Sequence, residues 1–153
     1  MPNRGFTLIE ILIVIGILAT LGIAVLPNFL TAVALQDLKG AGDRAVAVLR
    51  DAQVRSLAGE NQKTWGVEFD ANNKKFIMST YVSGLFEAPV TLVNLKNNLE
   101  FRDPVSGTKK IIFNGLTGEP IPKNPVTIII GLTNSPANYK TITVYANGRI
   151  EIQ

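Results

Sequence analysis

Glu10 is the carboxylate whose surroundings set it apart, because no charged residue follows it from Ile11 to Gln36. An acidic side chain inside a membrane-spanning helix costs about 2–3.5 kcal/mol at mid-bilayer and less near an interface, so it calls for a cation or a route to water. Elsewhere the usual catalytic constellations lack members. The 153 residues include no cysteine and no histidine. That removes thiol chemistry, disulfides, thiolate metal sites and every histidine-based acid, base or ligand. The serines have no base of the histidine type, and the acidic residues form no pair at useful spacing within a recognisable motif. Glu100 and Asp103 read as surface turn residues. Gly5, Gly16 and Gly22 fall at the start of the chain and not in a phosphate-binding loop. A calcium site near the C-terminus needs clustered carboxylates, and only Glu151 lies beyond Glu119. The expectation is a protein that is no enzyme, with no cofactor and no metal.

The element that positions Glu10 is the apolar run itself. Its 26 uncharged residues span roughly 39 Å as a helix, against a hydrocarbon core of about 30 Å. Arg4 precedes the run and Asp37 and Lys39 follow it, which favours a cytoplasmic N-terminus and a body on the far side. A secretory signal has a shorter apolar core and a small-residue cleavage site after it. A plain membrane anchor explains the hydropathy but gives no reason for Glu10. Gly16 and Gly22 suit close packing in a spanning helix. Pro27 removes a helical hydrogen bond, so a kink is expected there.

Arg4-Gly5-Phe6-Thr7-Leu8-Ile9-Glu10 resembles the processing motif of type IV prepilins and pseudopilins. The resemblance implies that a prepilin peptidase cuts between Gly5 and Phe6, that Phe6 becomes the N-methylated first residue, and that the apolar run stays on the mature chain. It further implies that Glu10 pairs with the N-terminal amine of a neighbouring subunit and so sets register during assembly. The alternative for Glu10 is a carboxylate reaching the interface beside its own terminus. Pro27 corresponds to a proline at which the family's helix loosens within the filament. The implied partners are prepilin peptidase, other pilin or pseudopilin subunits, an inner-membrane assembly platform and membrane lipid. The implied location is the bacterial inner membrane, crossed once, with the head outside the cytoplasm and assembled in a filament.

Beyond the membrane segment the helix is expected to continue, interrupted at Gly40 and Gly42, with Asp43 capping a second stretch to about Ala58. Ala45, Val46, Val48, Leu49, Ala52 and Leu57 share one face; Arg44, Arg50, Asp51 and Arg55 share the other. After Gly59 the apolar period becomes 2, with Trp65, Val67 and Phe69 alternating. Further strands are expected at Phe76–Val82, Val90–Val93, Leu99–Phe101, Lys110–Phe113, Val126–Leu132, Lys140–Tyr145 and Arg149–Ile152. Pro120, Pro122 and Pro125 mark a loop, as does Asn134-Ser135-Pro136. In the last hairpin a three-residue loop, Ala146-Asn147-Gly148, pairs Val144 with Ile150 and Ile142 with Ile152 on one face, whereas a two-residue turn would set Val144 against Glu151.

The fold class is therefore α+β: a long N-terminal helix, membrane-spanning in its first half, packed against a C-terminal antiparallel β-rich head. Its divisions are a cleaved leader 1–5, a transmembrane and assembly helix 6–36, an amphipathic extension 37–59 and a head 60–153. This arrangement also resembles the pilin fold. Ile111-Ile112-Phe113-Asn114-Gly115 and the ending from Ile142 to Ile150 resemble the H-type minor pseudopilins of type II secretion and their fimbrial-biogenesis relatives. The function implied is a structural subunit of a secretion pseudopilus or a type IV pilus. Two other readings stand beside it: a DNA-binding minor pilin and a simple membrane-anchored β domain. The DNA reading draws on Lys109, Lys110 and Arg149, with Lys74 and Lys75. The net charge of +3 is weak electrostatics for phosphate and argues against nucleic acid.

Overall fold

The computed structural model describes residues 6–153, with the side chains of residues 23–28 and 61 outside that description. A helix, α1, runs over Leu8–Leu57 and is followed by a short 3-10 turn at Glu60–Gln62. Nine strands follow: β1 (Thr64–Asp70), β2 (Lys75–Val82), β3 (Leu85–Asn94), β4 (Leu99–Asp103), β5 (Thr108–Phe113), β6 (Pro120–Ile121), β7 (Val126–Leu132), β8 (Ser135–Val144) and β9 (Ile150–Ile152). They form two antiparallel sheets, ordered β3-β2-β1-β5-β6 and β4-β7-β8-β9. The chain falls into two compact units, one up to Ala34 and one from Leu35 onward.

The second unit is a helix packed on a β-rich head, as expected, but its helix differs from the sequence reading. Gly40 and Gly42 do not interrupt α1, and Asp43 caps no second helix. A glycine inside a helix costs about 1 kcal/mol relative to alanine, which tertiary packing readily offsets. At Gly42 the packing is visible: a Cβ there would sit 2.6 Å from Ile152 Cδ1 and 3.6 Å from Lys140 Cβ. The missing side chain lets the helix approach β8 and β9. The buried stripe runs Leu38, Gly42, Ala45, Val46, Leu49, Ala52 and Ser56, a spacing of three and four that keeps one side inward. Leu57, expected on that face, is half exposed because the helix ends there.

Alternation places Trp65, Val67 and Phe69 of β1 in the core beside Phe76 and Met78 of β2. Phe69 lies 5.7 Å from the Phe76 ring and meets Phe101 of the second sheet edge-on at 6.0 Å. The second sheet contributes Ile128, Ile130, Ile142 and Val144, each fully buried. Two polar side chains tie the helix down. Ser56 Oγ accepts from Trp65 N at 2.8 Å and donates to the Phe113 carbonyl at 3.1 Å. Gln53 Nε2 donates to the carbonyls of Gly118 and Gly148 at 2.7 and 2.8 Å.

The last hairpin has the three-residue loop. Val144 pairs with Ile150 and Ile142 with Ile152, Tyr145 N donates to Arg149 O at 2.8 Å, and Gly148 takes a left-handed φ of +81°. Three of the departures from the expected strand limits fall at a proline. β3 begins at Leu85 and runs through Pro89, β6 includes Pro120, and β8 begins at Ser135 and includes Pro136. Proline donates no hydrogen bond, so strands hold it where one neighbour is absent. β3 and β6 are sheet edges, and β8 meets β9 only from Ile142 onward.

Candidate functional site at the start of the helix

Thr7 and Glu10 form a reciprocal pair where α1 begins. Glu10 N donates to Thr7 Oγ1 at 3.3 Å, while Glu10 Oε2 accepts from Thr7 N and from Thr7 Oγ1, both at 3.0 Å. With helical residues starting at Leu8, Thr7 is the N-cap and Glu10 the third helical residue. This is a capping box, in which two otherwise unsatisfied backbone donors are met by side chains. Such a cap contributes about 0.5–2 kcal/mol to helix stability, and the positive end of the helix dipole favours a carboxylate there. Thr7 belongs to this site and is absent from the sequence reading. Its signal was present, a threonine three residues before a glutamate at the head of an apolar run.

The box stands beside Phe6, whose side chain is 84% exposed. Phe6, Glu10, Ile11, Val14 and Ile15 line a shallow hollow of about 340 Å³. Beyond it the helix is apolar on every side: Leu8, Ile9, Ile13, Val14, Ile17 and Leu18, which ring the wheel, are each more than half exposed. A helix of this kind is stable in water only when something else covers it. Thr20 keeps its hydroxyl within the helix, donating to Ile17 O at 2.8 Å, which suits apolar surroundings. A Cβ at Gly16 or Gly22 would meet nothing within 4 Å. Among the described residues, no helix is long and apolar enough to cross a membrane. The side chains of residues 23–28, within the apolar run, lie outside the described ones. The structure thus brings Phe6 and Glu10 together, while Gly5 and the Pro27 side chain lie outside the described residues.

Four of the five basic residues weighed for nucleic acid are each engaged separately. Lys109 donates to Asp103 and, at 2.8 Å, to Thr127 O. Lys110 Nζ lies 5.4 Å from the Phe86 ring. Arg149 is 3.2 Å from Glu151 and its guanidinium lies 4.4 Å from the Tyr145 ring. Lys74 donates to Asn97 O at 3.5 Å. Glu100 and Asp103 belong to β4, not to a turn, and face Arg102 (3.6 Å) and Lys109 respectively. Among the described residues, no group of three or more acidic side chains is placed to hold a metal ion.

Residues 1–26 match the prokaryotic N-terminal methylation motif. No curated protein sequence matches the chain. Among solved structures, the chain is similar to the type IV minor pilin FimU of Pseudomonas aeruginosa (TM-score 0.61, 16% identity, 77% of this chain and 89% of that one). It is also similar to the minor pseudopilin EpsH from the type 2 secretion system of Vibrio cholerae (TM-score 0.60, 14% identity, 76% of this chain and 96% of that one). At these identities the likeness is one of fold. The methylation motif at one end and a pilin-like fold over most of the chain support the resemblance to type IV pilins and pseudopilins.

Proposed function

We propose that this chain is a non-enzymatic structural subunit, a minor pseudopilin or minor pilin, of a type II secretion pseudopilus or a type IV pilus. The observation that carries the reading is the capping box on an uncovered, all-round apolar helix, next to Phe6 and within the methylation motif. In this reading the apolar segment is held in the inner membrane and the head lies outside the cytoplasm. Prepilin peptidase hydrolyses the Gly5–Phe6 bond, which frees an amine at Phe6, and Phe6 is then methylated. Glu10 Oε2 is already held by Thr7, so its carboxylate meets a neighbour's N-terminal amine from a fixed rotamer at reduced entropic cost. A misplaced neighbour leaves a charge unpaired in an apolar setting, which gives register. Pro27 is the point at which the helix loosens once packed among other subunits.

Intact mass and N-terminal sequencing of the protein extracted from its host's membranes test the reading. A chain that begins with N-methylated Phe6 is the expected result. A chain that retains Met1 in cells with an active prepilin peptidase overturns it and leaves a membrane-anchored β domain.

A further inference from the structure

We propose that β3 is a docking edge, which takes an extended, alternately apolar segment of a partner protein, bearing a carboxylate at one end, as an added strand. Among the described residues the two sheets end on four strands, three of which are poor templates for further pairing, and the stretch of β8 that extends past β9 carries Pro136. β6 is two residues long and is followed by Pro122; β9 is three residues long. β4 is broken by a register shift between Phe101 and Asp103, and its charged side chains are tied into ion pairs. Shortness, prolines, bulges and charge are the means by which proteins prevent edge-to-edge association.

β3 carries a proline and two register shifts, but it is twice the length of β4 and far longer than β6 or β9. It is ten residues long and pairs with β2 alone. Leu85, Val90 and Leu92 are 70%, 53% and 49% exposed. Its one charged residue, Glu87, is paired within the chain with Lys63 Nζ at 2.5 Å and accepts from the Thr80 hydroxyl. The ladder skips Val90 and is irregular again between Phe86 and Pro89, which leaves Thr91–Asn94 as the unbroken half. An exposed edge of this length is a template whose free backbone groups specify their own occupant, another strand.

Two hollows flank the same strand and supply the side-chain selectivity. Glu87, Ala88 and Val90 line an open groove of about 700 Å³ together with Trp65 and Thr80. Val93 and Asn94 line a cleft of about 250 Å³ over Phe76 and Leu95. Strand addition draws affinity from main-chain bonds and specificity from pockets for alternate side chains. At about 3.3 Å per residue a single extended segment reaches both hollows. The charge at one end follows from Arg44, which lines the second cleft and is exposed, with no ion pair among the described residues. Lys96 lines that cleft as well but is held by Asp37. The inference rests on the head and on Arg44 of the packed part of α1, and stands whether or not Phe6 becomes the N-terminus.

The test places a benzophenone amino acid at Val90, and separately at Leu92, in the full chain in its host's membranes, with Tyr139 on β8 as the exposed control. Cross-linked peptides are then sequenced by mass spectrometry. The expected result is that both positions label one segment of one partner, with the labelled residue moving by about two along that segment. Leu92→Lys, a charge on the edge, and Arg44→Glu, a reversal at the cleft, are each expected to lower the Val90 adduct at least fivefold without lowering the melting temperature of the head. Adducts scattered over several proteins at the level of the Tyr139 control overturn the proposal. So do adducts to a second copy of this chain, or yields untouched by both substitutions.

Discussion

Two stretches of one helix, residues 8–22 and residues 38–56, have the same backbone bonding and opposite relations to their surroundings. The first is apolar on all sides and every side chain in it is exposed. The second buries one face, at intervals of three and four, against two sheets of its own chain. Helix formation does not distinguish them; what covers them does. The second stretch is satisfied internally, and its chemistry is that of a protein core. The first must be covered by something outside the chain, so the polar groups it carries, Thr7 and Glu10, are the ones whose bonding changes when that cover arrives.

The largest expected effect separates the two duties of Glu10. A capping box accepts glutamine as well as glutamate at its third helical position. Glu10→Gln therefore keeps the cap and removes the charge, whereas Glu10→Ala removes both. In the proposed reading Glu10→Gln lowers filament assembly by more than about tenfold, as a charge pair worth more than about 1.4 kcal/mol requires. Membrane insertion and the melting temperature of the head are unchanged. Sheared-filament yield from cells expressing each variant is the measurement. If Glu10→Gln assembles like the unaltered chain while Glu10→Ala does not, the cap is the function, and the contrast between the two stretches is one of folding alone.

A second, smaller effect comes from making one substitution at two places on the same helix. Leu49 is fully buried and Leu12 is 62% exposed. Leu49→Ala should cost about 2–5 kcal/mol of head stability through lost contacts and the cavity left behind. Leu12→Ala should leave the head's thermal unfolding in detergent micelles unchanged, and act instead on whatever covers the first stretch. Equal losses at the two positions would mean that the first stretch is part of the same cooperative unit as the second, and would break the comparison.

How far each stretch could be read in advance follows from where its partners are. Residues 11–36 declare themselves by an unbroken absence of charge, and Glu10 by interrupting the apolar pattern, so neither needs knowledge of a neighbour. The register of the last hairpin was legible because parity alone decides whether Val144 meets Ile150 or Glu151. Thr7 was legible too, since its partner is three residues away. Other features depend on residues distant in sequence. Gly42 lies within a continuous helix because Ile152 occupies the space a side chain would need. Pro89 is tolerated within β3 because no strand lies beyond it. Ser56 is buried because Trp65 and Phe113 supply partners that no local pattern announces.

The smallest expected effect marks where the self-satisfied part of the chain begins. Asp37 is the first charged residue after the apolar run. Its carboxylate accepts from Lys96 Nζ at 2.5 Å and from Asn98 Nδ2 at 3.2 Å. The Lys96 ammonium, with help from Asn98, holds it below the usual aspartate range against an opposing effect of desolvation. A carboxylate whose folded value is depressed adds stability that is fully present above its unfolded value of about 3.9 and is lost as pH falls through the folded one. The stability difference between the unaltered chain and Asp37→Asn should therefore be present at neutral pH, shrink as pH falls through about 4, and vanish at lower pH. It should also fall on raising salt, because Lys96 is 65% exposed and an exposed partner is screened. Denaturant midpoints of both proteins over this pH range measure it. A difference that does not change with pH means that the Asp37 carboxylate takes no stability from Lys96, and the first residue to be satisfied within the chain is then Leu38, by burial.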